Sequence, residues 1–322
     1  MRILFVGCIL TAAACASAEE GSVARELSPT PPIPIANGAS SSNGVAPPPS
    51  PTPTSTSSTS VPDAAAPVPE PPPPPTVITS NETIEVWGRT RSFVVARPST
   101  YDPARSYPLL LALHGDGGTG AHMRAAFQLD GVAGQDVIVA YPTGSGNSWD
   151  LYTPADSDKD VAFLVALVDE MKARYNVAPN RVFSFGMSSG AFMSNQMACR
   201  RPSLFRGIVS HSGGVPAEPN DSHGTWGNGF VRCDGQDTGV AAMLIHGSED
   251  SAVPYPSGEH NTRYWATVNG CASTSTAIAP APCVARDGCP AGKPVVFCGV
   301  QGLGHAFWSE AAAATWSFVS GL

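Results

Sequence analysis

The sequence predicts an α/β protein with a mostly parallel central sheet and helices on both of its faces. Three observations carry this reading. Short apolar runs alternate with helical stripes from about Val77 to Leu322, roughly 245 residues, a common size for one α/β domain. The pentapeptide Gly186-Met187-Ser188-Ser189-Gly190 stands between a strand-like run, Arg181 to Phe185, and a helix-like run, Ala191 to Arg200. The other apolar runs end in loops rich in glycine and histidine, where parallel sheets carry their chemistry.

Thr83 to Ala96 reads as an edge hairpin turning near Gly88-Arg89. Pro108 to Leu113 is a continuous apolar run ending at His114-Gly115, the signature of a strand buried on both faces. Asp136 to Ala140 repeats it. Between Asp160 and Tyr175, Val161, Phe163, Leu164, Leu167, Val168 and Met171 form a helical stripe. Gly207 to Ser210 is a further strand, followed by His211-Ser212-Gly213-Gly214. Ala241 to Ile245 leads into His246-Gly247, Pro294 to Gly299 is the last strand, and Ala311 to Val319 closes as a helix.

Gly-x-Ser-x-Gly between a strand and a helix is a nucleophile elbow. Its glycines remove Cβ atoms that would collide with the flanking elements, and the serine hydroxyl stands beside a helix N-terminus. In this arrangement the chain order is nucleophile, acid, histidine. Of His211, His223, His246, His260 and His305, only His305 follows the last strand, in the glycine-rich Gly302-Leu303-Gly304-His305. His246 is expected to hold its loop by hydrogen bonds, and the other three to be surface or structural. The acid is expected after Ala241 to Ile245, where Glu249 and Asp250 are both available and position alone leaves the choice open. The oxyanion hole needs the amide after the nucleophile, Ser189, and one from the loop His114 to Gly118, with Asp116 the preferred donor. Trp149 is a candidate for the pocket wall or for packing beneath the loop. Trp226, Trp265 and Trp308 are further candidates for an aromatic rim.

The chain opens with Met1-Arg2, an apolar run from Ile3 to Ala14, and Cys15-Ala16-Ser17-Ala18. This is an export signal over residues 1–18, too short to span a membrane as a helix with ease. Cleavage before Glu19 competes with a lipobox-like Ala13-Ala14-Cys15, which would leave a lipidated Cys15 as a membrane tether at a bacterial envelope. Residues 19–76 read as a linker dominated by Pro, Ser and Thr, including the run Pro71 to Pro75. A net charge of −8 without a basic patch gives no reason to propose nucleic acid. Cys199, Cys233, Cys271, Cys283, Cys289 and Cys298 predict disulfides, with Cys199–Cys233 a reasonable first pair and the other four stapling the insertion Cys271 to Cys298. No Cys-x-x-Cys pair suggests zinc, and no metal or organic cofactor is called for.

With these pieces placed, the chain resembles the polyhydroxybutyrate depolymerase and feruloyl esterase group of α/β-hydrolases, related to carbohydrate esterase family one. The matching stretches are Leu113-His114-Gly115, Tyr141-Pro142 with Asn147-Ser148-Trp149, Asp160 to Leu164, Arg174 to Val177 with Arg181-Val182, the elbow, His246 through Tyr255, and Gly304-His305. The resemblance implies an α/β-hydrolase fold and a Ser188–His305–Asp250 triad, the aspartate four residues after the histidine of the His-Gly pair. It departs from the usual pattern at Phe307, where relatives carry tryptophan, with Trp308 following. Phe307 and Trp308 are accordingly substrate-binding candidates. The implied activity is that of an exported serine carboxylesterase acting through an acyl-enzyme on feruloyl or acetyl esters of plant polysaccharide, or on a polyester. The stretch between elbow and acid leaves little room for a large lid, which suits bulky or polymeric esters. The rival readings are a catalytically silent binding lipoprotein and a serine peptidase on the same fold.

Overall fold

A computed structural model describes residues 77–216, 224–230, 232 and 238–322. The export signal, Cys15, the linker, His223 and Cys233 lie outside these residues. The described residues open with the hairpin β1 (Val77–Val86) and β2 (Arg89–Pro98), paired antiparallel through ten residues. It turns through Trp87 and Gly88, both at positive φ (51° and 70°), as two-residue hairpins prefer. The strands β3 (Tyr107–Leu113), β4 (Ile138–Pro142), β5 (Val177–Met187), β6 (Gly207–His211), β7 (Ala241–Gly247) and β10 (Val295–Val300) form the parallel part. The short strands β8 (Ser275–Ala277) and β9 (Cys283–Arg286) close the far edge antiparallel. The ten strands run β1-β2-β4-β3-β5-β6-β7-β10-β9-β8.

The side-chain alternation of the strands divides the core. Leu110, Ala112, Val139, Tyr141, Phe183, Phe185, Val209, Met243 and Ile245 face one side. There they meet α1 (Gly120–Phe127), α2 (Leu129–Ala133) and α6 (Ala311–Ser320), through Met123, Phe127, Leu129, Ala311 and Val319. Leu109, Leu111, Leu113, Ile138, Ala140 and Val182 face the other side, against α3 (Lys159–Arg174) and α4 (Ser189–Arg200). Ile208, Ala242 and Leu244 complete that face against α4 and α5 (Tyr255–Asn269) through Ala198, Tyr264 and Trp265. Helices therefore cover both faces, as the continuous apolar runs predict.

Several elements depart from the sequence reading, which placed none of α1, α2, β8 and β9; two departures bear on the site. The run Asp136 to Ala140 begins its strand later, at Ile138, because Gly134–Asp136 first makes a 3₁₀ turn. Helix α5, directly after the candidate acid, has no strong apolar stripe; its signals are Pro254 ahead of the first turn and Gly270 in the left-handed C-cap (φ 70°). Trp265, a candidate for an aromatic rim, lies in the core instead, 1 % exposed, its indole N–H donating to Asn195 Oδ1 at 2.7 Å. The cysteines of the insertion pair as Cys271–Cys289 and Cys283–Cys298, and Cys199 is also disulfide-bonded.

Candidate active site

The elbow is built from close approaches. A Cβ on Gly186 would lie 2.0 Å from the Gly190 carbonyl oxygen, and one on Gly190 would lie 2.4 Å from that of Leu113. Only glycine lets β5, α4 and β3 meet so tightly. Between them Ser188 is held at φ 55°, ψ −123°, a conformation that side chains with a Cβ seldom adopt and that persists only where its surroundings enforce it. The Ser188 N–H donates to the His211 carbonyl at 3.0 Å, anchoring the turn to β6.

Three loops at the carboxyl ends of three strands then converge. Ser188 follows β5, Asp250 follows β7, and His305 follows β10. His305 Nε2 lies 3.0 Å from Ser188 Oγ, and His305 Nδ1 lies 2.8 Å and 3.0 Å from the two Asp250 carboxylate oxygens. Asp250, rather than the exposed Glu249, is the carboxylate that meets His305. Burial works to raise the Asp250 carboxyl pKa, but the Val253 amide, His305 and the Ser212 hydroxyl outweigh it and hold the group below its ordinary range. The Ala252 and Val253 amides donate to Asp250 Oδ1 at 3.0 Å and 2.8 Å, fixing the carboxylate before substrate arrives. His246 holds this same loop, as its place at a strand end suggests, through Nε2 and the Val253 carbonyl at 2.8 Å. Burial lowers its pKa, partly offset by that bond and by Asp250.

The loop His114 to Gly118 lies against Ser188: a Cβ on Gly115 would come within 3.2 Å of Ser188 Cβ. The loop after β4 braces it. The Gly144 N–H donates to His114 Nε2 (3.0 Å), Trp149 Nε1–H to the His114 carbonyl (2.8 Å), and Gly117 N–H to the Asn147 carbonyl (2.8 Å). Ser148 Oγ–H donates to Asp116. Since Gly144 makes His114 Nε2 an acceptor, the ring donates from Nδ1 to the Gly115 carbonyl at 2.7 Å, and burial keeps it neutral by lowering its pKa. The brace is itself pinned by Asp160, buried at the start of α3, which accepts from Arg91, Asp150 N–H (2.8 Å) and Ser145 N–H (3.3 Å). Its neighbour Asp158 caps α3 and pairs with Arg200 of α4 at 2.9 Å, both side chains fully buried.

Trp149 is 5 % exposed, its ring 4.9 Å from that of His114, so its contacts are those of packing beneath the His114 to Gly118 loop. Phe307 is half-buried beside Phe127 and Phe185, at ring distances of 5.9 Å and 6.3 Å, and Trp308 is 9 % exposed. Both anchor the His305 loop to the core. Spacing alone did not single out His211: it is completely buried, bonded to Trp308 and next to Ser212. A histidine directly after an apolar strand run was its only signal.

Open space lies to one side of the elbow. Phe192, Gly214, Val215, Pro256, His260 and Arg263 line a cavity of about 390 Å³. It shares Val215, His260 and Arg263 with a larger one of about 690 Å³ bounded by Phe230 and Tyr264. Neither is lined by Ser188, Asp250 or His305, so the assignment of the chemistry rests on hydrogen-bond geometry and not on cavity size.

Comparison with known proteins points the same way. Residues 155–283 match the phospholipase/carboxylesterase family. A probable feruloyl esterase C of Aspergillus clavatus is 28 % identical over 243 residues, covering 71 % of this chain and 82 % of the relative. Feruloyl esterase C of Emericella nidulans is 28 % identical over 190 residues, 57 % of this chain and 64 % of the relative's length. Among solved structures, acetyl xylan esterase from Aspergillus awamori superposes with a TM-score of 0.59 at 18 % identity, over 75 % of this chain and 99 % of that one. That likeness is one of fold.

Proposed function

We propose that the chain is a carboxylic ester hydrolase of the feruloyl esterase group of α/β-hydrolases, and that Ser188, His305 and Asp250 are its catalytic triad. Ser188 Oγ attacks the ester carbonyl while His305 Nε2 takes its proton. Asp250 holds the imidazole in the Nδ1–H tautomer and stabilises the imidazolium that forms. The amides of Ser189 and Asp116 receive the oxyanion, each such donor contributing about 3 kcal/mol to the transition state. Ser189 opens α4, where first-turn amides have no intrahelical acceptor. His305 returns the proton to the leaving alcohol, then activates the water that releases the acid from Ser188. The observation that carries this reading is the hydrogen-bonded line Ser188–His305–Asp250 at 3.0 Å and 2.8 Å.

The names of the relatives favour esters of ferulic or acetic acid on plant polysaccharide. The neighbouring cavities, lined by Phe192 and by Phe230 and Tyr264, offer an aromatic-walled seat for the sugar or the aryl group. Residues 77–322 form the catalytic domain in this reading, preceded by an export signal and a linker. Two disulfides and the bonded Cys199 suit export to an oxidising compartment, and the mass of the mature N-terminus distinguishes a lipidated Cys15 from a chain beginning at Glu19.

Ser188→Ala tests the chemistry. Its kcat on a short feruloyl or p-nitrophenyl ester is expected to fall by on the order of 10⁶-fold, with loss of labelling by a fluorophosphonate probe. Wild-type turnover by this variant rules the assignment out. A panel of feruloylated arabinoxylan, acetylated xylan and amorphous polyhydroxybutyrate then separates plant esters from polyester, and turnover of the last alone would refute the plant-ester reading.

A further inference from the structure

We propose that His211 is a positioning residue of this site, which as a neutral Nδ1–H imidazole ties the backbone of the His305 loop to Asp250 by way of Ser212. The inference rests on the triad reading above. His211 ends β6 and is 0 % exposed, so each ring nitrogen must find its partner inside the protein. The Trp308 backbone N–H donates to His211 Nε2 at 3.0 Å. A backbone amide can only donate, so Nε2 carries the lone pair and the ring proton sits on Nδ1. Nδ1 lies 3.2 Å from Ser212 Oγ, which therefore accepts. The hydroxyl proton of Ser212 is left free to donate, and Ser212 is one of the groups that hold the Asp250 carboxyl below its ordinary range.

With a Ser212–Asp250 contact the connections close into a ring. Asp250 holds His305, the chain runs three residues on to Trp308, and Trp308 returns through His211 and Ser212 to Asp250. The loop that carries the general base is thereby fastened at two points, the imidazole and the Trp308 amide, to one carboxylate. Phe307, between them, packs its ring edge-on to His211 at 5.7 Å. Ser212 sits at φ 54°, in the left-handed region, with its own N–H held by the Ile245 carbonyl at 2.8 Å. A residue with a side chain is kept in that conformation only where its neighbours impose it, and here the result is a hydroxyl set against the His211 ring.

A proton on both nitrogens of His211 would set N–H against the N–H of Trp308. Burial, with His246 and His305 on the neighbouring elements, lowers the group to about 3, opposed only by Asp250. The ring is therefore a fixed acceptor and donor across the working range of an esterase. It does not touch substrate; it acts by keeping His305 and Asp250 in register.

Two near-isosteres divide its bonds. His211→Gln offers an acceptor near the Nε2 position and gives up the Nδ1 donor; His211→Asn does the reverse. His211→Asn should lower kcat by about 10²-fold, with KM within about twofold, because the base is displaced while the pocket is not. His211→Gln should recover part of that loss. Ser212→Ala leaves the β6 core untouched and removes the proton given to Asp250. The carboxylate then attracts the imidazolium more strongly, so the acid limb of kcat/KM should move to higher pH. Folded variants with wild-type kcat and an unmoved pH profile overturn the proposal. If the His211 variants do not fold, Ser212→Ala still decides it, together with ¹⁵N spectra of the wild-type protein. His211 should appear as the neutral Nδ1–H tautomer, unchanged over about pH 5 to 8; an Nε2–H tautomer or a titration in that range refutes it. Ser188→Ala run alongside separates the two readings. If it remains active, the triad is wrong; if it is inactive while the His211 and Ser212 variants behave as wild type, only the present proposal fails.

Discussion

The middle of the sheet and its C-terminal edge are held together by different means. Every residue of β3, β4, β6 and β7 is buried, and none of these strands nor β5 contains a cysteine. At the edge, β8 is wholly exposed and β9 mostly half-buried, yet two disulfides lie between Cys271 and Cys298. A buried leucine or phenylalanine contributes about 1.5–3 kcal/mol by leaving water, and the middle strands have many such residues. The edge has few, and covalent closure of its loops does the corresponding work. The contrast teaches where precision resides. Ser188 and Asp250 stand on ends of the buried middle, and His305 follows the strand that joins middle to edge. Disturbing the middle should therefore cost activity, and disturbing the edge should cost stability.

After Ser188 itself, the largest effect is expected at Asp250. In Asp250→Asn the Oδ1 contacts with the Ala252 and Val253 amides are kept, so the loop should hold its shape. The amide now presents N–H to His305 Nδ1, which forces the proton onto Nε2 and leaves no lone pair for Ser188. A fall in kcat of about 10⁴-fold is expected, with the thermal midpoint nearly unchanged. Glu249→Gln, one residue away and exposed, should do nothing to either quantity. A kcat within tenfold of wild type for Asp250→Asn would remove Asp250 from the acid role.

The same contrast explains what the sequence disclosed. The buried strands were legible because a strand covered on both faces must be apolar throughout, and their order fixed which loops could meet. The elbow was legible because Gly186 and Gly190 leave no room for any other residue. Asp250 could not be told from Glu249 by spacing, since which carboxylate turns inward depends on the amides of Ala252 and Val253. Trp149 was equally ambiguous, because its role is set by a single bond to the His114 carbonyl across 35 residues. Helix α5 escaped because its buried face carries Gly258, Asn261 and Thr262 besides Tyr264 and Trp265, which breaks the apolar stripe. The His211–Ser212 contacts are formed with loops from two distant parts of the chain, which no local pattern encodes.

The edge is sharpened by removing its outer bond. Cys271 and Cys289 are half-buried, whereas Cys283 and Cys298 are buried in the core. The paired substitution Cys271→Ser and Cys289→Ser opens a loop with a sequence separation of 18. Stability to urea should fall by about 3 kcal/mol, with kcat/KM on a feruloyl ester within about twofold of wild type. Mild thiol treatment should reach this bond before the inner one, because exchange needs access to sulfur. A loss of kcat comparable to that of Asp250→Asn would mean that the edge shapes the site directly, and the division drawn here would fail.

The smallest effect separates the two regions by pH. In the middle, burial first of all depresses the pKa values of His114, His211 and His246, His211 to about 3. A histidine kept neutral in the native state binds fewer protons than it does unfolded. Its contribution to stability is thus present above its unfolded value of about 6.5 and lost as pH falls towards its native value. At the edge, the depressed group is Asp287, through hydrogen bonds from Thr274 and Thr276, and its contribution is lost only below about pH 3.9. Acid should therefore weaken the middle first. Urea unfolding measured from pH 7.5 down to pH 4.5 should show stability falling, each neutral histidine adding up to about 1.4 kcal/mol per pH unit to the slope. His211→Gln should remove about one such increment, whereas Asp287→Asn should leave the slope in this range as it is. A stability that stays flat between pH 7 and pH 5 would show that the buried histidines accept protons without cost, which the Trp308 and Gly144 amides facing two of them are arranged to prevent.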